Sequence, residues 1–219
     1  MKYVSRWYKS ALDKRAAKTF YTQWNEGYFY QQIFEEWIEE IRHRPQVLFP
    51  DGLVRCELNS FEARELVSLL EDAIWGHRIL SREYKRDPEI LPNFLRCEFV
   101  NGRINSELIL TLKYTEDTSG DERVMFRGHF QDGIPHGHFL VFDVSERINE
   151  EYELAYGINH GKWILHNEEK GTRIESIEYR YNQRHGKRCQ YHESGRLKTV
   201  ANYEHDKRVG PQQYFEDTD

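Results

Sequence analysis

Eight of the ten histidines fall between His129 and His205, and His136, His160 and His185 each stand immediately before a glycine. Regularly spaced imidazoles are the first candidates for zinc, whose ligands each sit about 2 Å from the ion. If the interval belongs to successive β-hairpins, equivalent positions lie about 10 Å apart, two strand spacings. Three such residues cannot share one ion, so they are read as supports for the adjoining turns. Glu35, Glu36, Glu39 and Glu40 crowd four carboxylates together, the raw material of acid–base chemistry, but at helical spacing they form a solvated polar side. Cys56, Cys97 and Cys189 are odd in number and widely spaced, giving neither a disulfide framework nor a Cys-x-x-Cys metal pair, and are expected reduced. With no nucleophile beside a base and no phosphate-cradling glycine loop, the sequence reads as non-enzymatic, with no cofactor and no metal.

The elements that would position these residues follow from periodicity. Val4, Trp7, Tyr8, Ala11, Leu12, Phe20, Tyr21 and Trp24 recur largely at three and four, and Tyr30, Ile33, Phe34, Trp37, Ile38 and Ile41 repeat the pattern until Pro45. That spacing predicts a helical hairpin. An extended piece from about Leu48 to Leu58 follows. Asn59-Ser60 with Glu62 can then cap a third helix carrying Leu66, Leu69, Leu70, Ala73 and Ile74, which fades before Pro88. His77, just beyond it, is read as a packing residue. Past Pro92 the period changes to alternation: Phe99, Asn101-Gly102 and the run Leu108 to Tyr114 predict strands joined by a tight turn.

The second half repeats itself. Gly137, Gly161, Gly186 and Gly210 follow one another at 24, 25 and 24 residues. Seven residues before each stand Phe130, Leu154, Tyr179 and Tyr203, and four before each stand Gly133, Gly157, Asn182 and Asp206. Gly, Asn and Asp enter left-handed backbone conformations at least cost, so one turn geometry is expected to be rebuilt four times. Five residues after each glycine come Phe142, His166, Tyr191 and Phe215. A degenerate earlier copy has Phe99, Gly102 and Ser106, with Ser in the glycine position. Isolated hairpins are only marginally stable, so the units should stack into an elongated, twisted sheet.

At these residues the chain resembles the MORN repeat, a hairpin unit of about this length, with Phe126-x-Gly128-x-Phe130-x-x-Gly133-x-x-His136-Gly137 as the fullest match. The later units, Tyr179 to Tyr191 with Glu193-Ser194-Gly195-Arg196-Leu197, and Tyr203 to Phe215, look more like the variant MORN units of YwqK-type antitoxin and immunity-like proteins of bacteria. The pattern is departed from at Leu154, His166 and Val209, and residues 1–92 carry no resemblance. The likeness implies an elongated antiparallel sheet of MORN-like hairpins over 93–219, and with the helical spacing of 1–92 the expected fold is α+β in two parts, a helical region packed on that sheet. It also implies a non-enzymatic binding protein, an antitoxin or immunity protein that neutralises a partner toxin. The alternatives are a membrane-associated or scaffolding module on anionic phospholipid, or an accessory subunit of a phage-defence or phage-encoded system.

Composition limits the partner. With 219 residues, 31% charged and 38% hydrophobic yet 14% aromatic, the chain is expected to fold, and no apolar run is long enough to span a membrane. The basic start, Lys2 to Lys18, lacks the apolar core of a secretory signal, so a cytoplasmic location is expected. Residues 180–208 hold Arg180, Arg184, Lys187, Arg188, Arg196, Lys198, Lys207 and Arg208 against Glu193, Glu204 and Asp206, a local excess of five in a chain of net charge -6. The runs Phe139 to Phe142 and Trp163 to Leu165 are apolar on consecutive positions and should be covered on both faces, whereas Arg188 to Tyr191 and Gln212 to Phe215 should be wet on one. The helices are therefore expected over the first two units, leaving those eight cations as the partner-binding residues. An acidic protein surface suits them best, anionic lipid is the alternative, and nucleic acid would call for a more basic domain.

Overall fold

The computed structural model describes residues 52–58, 60–74, 77, 80, 90–100, 103–113 and 122–218. In chain order these form β1 (Gly52–Glu57), α1 (Ser60–Ala73), β2 (Phe94–Val100), β3 (Arg103–Ile104), β4 (Glu107–Lys113), β5 (Glu122–Gln131), β6 (Ile134–Phe142), β7 (Ile148–Ala155), β8 (Ile158–His166), β9 (Arg173–Arg180), β10 (Gln183–Tyr191), β11 (Leu197–Glu204) and β12 (Lys207–Tyr214). The strands make one 12-stranded sheet in the order β1-β2-β4-β5-β6-β7-β8-β9-β10-β11-β12, with β3 paired to β2. Every strand pairing is antiparallel.

The expected α+β class is corrected by this architecture. What is described is nearly all antiparallel sheet, with a single helix, and no helical N-terminal region stands among the described residues. The helical hairpin read over 4–41 lies outside them. Between 52 and 92 the chain first forms β1, which ends the sheet among the described strands and pairs with β2 from Gly52↔Phe99 to Glu57↔Phe94. The helix after Asn59-Ser60 is present as α1, and buries Ala63, Leu66, Val67 and Leu70, with Ile74 just beyond, at the three-and-four spacing of one face.

The repeat is built as a hairpin with two special features. At its tip both central residues have positive φ: Asp132 52° and Gly133 76°, Tyr156 48° and Gly157 82°, Tyr181 49° and Asn182 63°, His205 48° and Asp206 65°. Two successive left-handed residues define the turn whose twist matches that of the flanking strands. Beyond the tip, each return strand carries a bulge in which three residues face one on the outgoing strand. His136 to His138 oppose His129, His160 to Lys162 oppose Glu153, and His185 to Lys187 oppose Glu178. The glycine inside the bulge has φ of 102° at Gly137, 106° at Gly161 and 112° at Gly186. A Cβ at Gly161 or Gly186 would overlap Oε2 of Glu153 or Glu178. Glycine is thus favoured by the backbone, and any side chain at Gly161 or Gly186 would also have to displace the carboxylate lying over it. That of Glu178 accepts the bulge amide of Lys187 at 3.0 Å.

The degenerate first copy is a true member of the series. Phe99 pairs with Ile104 as Phe130 does with Pro135, Leu154 with Asn159, Tyr179 with Arg184 and Tyr203 with Arg208. Successive tips are joined by one recurring backbone bond, from Gly133 to the Ile104 carbonyl (2.8 Å), Gly157 to Pro135 (2.7 Å), Asn182 to Asn159 (2.7 Å) and Asp206 to Arg184 (3.1 Å).

Residues in register share a face, so each repeat position forms a column across the sheet. On the face covered by α1, the column two residues after each glycine reads Phe139, Trp163, Arg188 and Gln212, and the column eleven before reads Phe126, Glu150, Glu175 and Thr199. Polarity rises along the sheet. The apolar core joins α1 to Leu95, Leu108, Leu110, Phe126, Phe130, Phe139, Val141, Tyr152 and Leu154, with Trp163 at its margin.

Candidate functional site

Where the apolar columns end, a polar cluster closes the core. Glu150, buried in β7, accepts Trp163 Nε1 at 2.6 Å and lies 3.4 Å from His77 Nδ1. His77 Nε2 is 2.5 Å from Asn159 Oδ1, whose amide nitrogen donates to Asn182 Oδ1 at 2.9 Å. The His77 ring stacks on Tyr152 at 4.2 Å, and Tyr152 on Phe139 at 5.2 Å. Burial, then the nearby Glu150 and Glu71, raise the Tyr152 phenol well above its ordinary value and keep it neutral. His77 is the packing residue read from sequence, and it also ties the chain after α1 to the sheet.

The three histidines before the repeat glycines are contacts between hairpin tips. His136 lies against Tyr156 at 4.5 Å, His160 against Tyr181 at 5.0 Å and His185 against His205 at 5.5 Å, always one unit onward. Burial, followed by the charges of His129 and His160, lowers the pKa of His136. For His160 burial and then Arg180 lower it, against the pull of Glu153. Elsewhere His138 and His166 approach Glu151 at 3.6 and 3.2 Å. Among the described residues no three His, Cys, Asp or Glu side chains are grouped to hold a metal ion.

The eight cations singled out by sequence do not form one patch. Arg184, Arg188 and Arg208 share the face that α1 covers further up the sheet, and Arg180, Lys187, Lys198 and Lys207 fall on the other; Arg196 sits in a turn. Several already serve the fold. Arg184 holds the Asp206 carboxylate through Nε at 3.1 Å and lies 4.6 Å over the Tyr203 ring. Arg188 donates to Glu175 at 2.6 Å. Burial opposes the Arg188 charge, but the hydrogen bonds with Glu175 and Tyr203 outweigh it and leave the pKa raised. Arg180 lies 5.6 Å from the Tyr181 ring centre, Arg208 donates to Gln212 at 3.4 Å, and Arg196 reaches the Thr218 carbonyl. Lys187, Lys198 and Lys207 are exposed, as is Arg180.

What the sequence did not single out is the last strand itself. β12 ends the sheet among the described strands, and Val209, Tyr214 and Phe215 are 36%, 75% and 43% exposed. The Arg208 carbonyl occupies the repeat position from which Ile104, Pro135, Asn159 and Arg184 each accept the next tip. The signal in the sequence is Tyr214 beside Phe215, of which Phe215 alone reads as a rung of its own hairpin.

No family model matches the chain, and no curated protein does. Among solved structures it is similar to a crystal structure of a mutant of S. aureus TarM in complex with fondaparinux, alpha-GlcNAc-glycerol and UDP, at 10% identity and a TM-score of 0.25. That match covers 74% of this chain and only 25% of the other, and bears on neither fold nor activity. Among the described residues no helix is long and apolar enough to cross a membrane.

Proposed function

We propose that the chain is a non-enzymatic protein-binding module of the bacterial cytoplasm, an antitoxin or immunity protein that captures its toxin on the C-terminal hairpins. The observation that supports it is the outer strand β12. An edge strand with Val209, Tyr214 and Phe215 exposed and backbone groups directed outward suits addition of a partner strand, with the aromatics as anchors. Exposed Lys187, Lys198 and Lys207 on the neighbouring face complement an acidic partner and favour rapid encounter. Phospholipid is the weaker reading, because cations divided between two faces give a flat anionic surface no single plane to meet. Co-expression with the product of a neighbouring gene should restore growth and yield a stable complex, and Tyr214→Ser with Val209→Glu should dissolve that complex while leaving the fold intact. A complex that survives both substitutions and deletion of residues 197–219 would move the site off this end; no complex and no rescue would end the toxin-neutralising reading.

A further inference from the structure

On the face of the sheet away from α1, β2, β4 and β5 line a cavity of about 180 Å³. Arg96, Ile109 and Arg127 stand side by side across its floor in one register line, with Phe94, Thr111 and Val124 alongside. Neither arginine makes a hydrogen bond or ion pair with any described residue, and Arg127 Nε is buried without a partner. A buried guanidinium donor that the fold leaves unsatisfied costs stability that an acceptor brought by a ligand would restore. Lys113 Nζ lies 5.6 Å from the Phe94 ring centre and adds a third positive charge at the rim. Glu122 is the one carboxylate among the described lining residues, and it has an interaction of its own. Three cations against one carboxylate, around walls of Phe94, Ile109 and Val124, describe a site for an anion with an apolar body.

We infer that this cavity binds a small organic oxyanion, a carboxylate or phosphate carried on a compact flat apolar group. Arg96 and Arg127, one strand apart on either side of Ile109, present planar donor forks that match two oxygens of such a head group. The apolar walls take the body. This site is separate from β12 and stands whether or not the protein-binding role does.

Titrating the full chain with phenyl phosphate, benzoate and inorganic phosphate, followed by amide chemical shifts, tests the inference. At least one of the two aryl anions should give saturable shifts confined to β2, β4 and β5, and should bind more tightly than inorganic phosphate. Arg127→Met and Arg96→Met should each weaken that binding about tenfold or more, whereas Lys162→Met on β8 should leave it unchanged. Because Arg96 is exposed, its Met variant keeps the fold and the assay stays decisive even if Arg127→Met does not fold. No saturable binding of either aryl anion, binding that the Arg96 variant leaves intact, or inorganic phosphate binding as tightly as the tighter of the two aryl anions would each overturn the inference.

Discussion

Gly186 and Gly210 occupy the same repeat position, yet they are held to it by different forces. At Gly186 a side chain meets a φ of 112° and the Glu178 carboxylate; at Gly210 it meets a φ of 74° and nothing within 4 Å. Gly210→Ala should therefore cost roughly 1 kcal/mol, from the backbone alone. Gly186→Ala should cost roughly 2–4 kcal/mol, because it also displaces the acceptor of the Lys187 amide. Urea midpoints check the order, and equal costs would mean that the carboxylate packing contributes nothing. The tip histidines make a second residue-scale prediction. His136 and His160 are both held below the ordinary imidazole value by burial first, so the unfolded chain takes up protons more readily than the folded one. Their contribution is fully present above about pH 6.5 and is lost as pH falls through the lowered folded values. The urea midpoint should drop on acidification and do so less in a His136→Asn, His160→Asn double variant; a midpoint that rises toward acid pH would contradict the assignment.

Between α1 and the sheet, the element that decides the join is Glu150, whose side chain is only 5% exposed and takes hydrogen bonds from Trp163 and, through His77, from the chain beyond the helix. Glu150→Ala strands both donors and should cost roughly 2–3 kcal/mol, whereas Glu150→Gln keeps an oxygen for Trp163 and should cost less. A double-mutant cycle with Trp163→Phe should show coupling of roughly 1 kcal/mol, and additive costs would place the two residues in separate roles. This join was not legible in the sequence, where Glu150 is one carboxylate among many in a polar strand. The tips were legible because Gly133, Gly157, Asn182 and Asp206 are residue types that signal left-handed backbone. Of the residues that precede them at the tips, Asp132 and His205 also belong to types enriched in left-handed backbone, whereas Tyr156 and Tyr181 adopt it with no signal in their residue type. The fold class differs from the expectation because the extended piece over about Leu48 to Leu58 joins the sheet as β1, and its partner β2 stands about forty residues later, a pairing that no local spacing signals. The basic cluster misled for a related reason: charge counts add along the chain, but alternation and a bulge in each hairpin distribute the side chains over two faces.

At the scale of the whole described sheet the architecture is nearly one-dimensional, since from β5 onward each strand pairs only with its neighbours in sequence, and the core is concentrated between α1 and β2–β7. Beyond Trp163 the columns turn polar, and the last two hairpins are held by tip bonds, Arg184 with Asp206, Arg188 with Glu175, and turn contacts such as Ser194 to Asp217 at 2.6 Å. Surface pairs of this kind are worth about 0–1 kcal/mol each, far less than buried apolar columns. Stability should therefore be graded along the sheet, as in repeat proteins, with local opening easiest at the open end. Native-state hydrogen exchange should find the slowest amides in β4–β7 and the fastest in β11–β12, and binding of a protein partner at β12 should slow the latter selectively. Removing residues 197–219 should leave the protection of β4–β7 unchanged and abolish partner capture. Uniform exchange from β4 to β12, or loss of β4–β7 protection on that deletion, would show that the terminal hairpins stabilise the whole sheet and that their exposed aromatics belong to its cooperative fold.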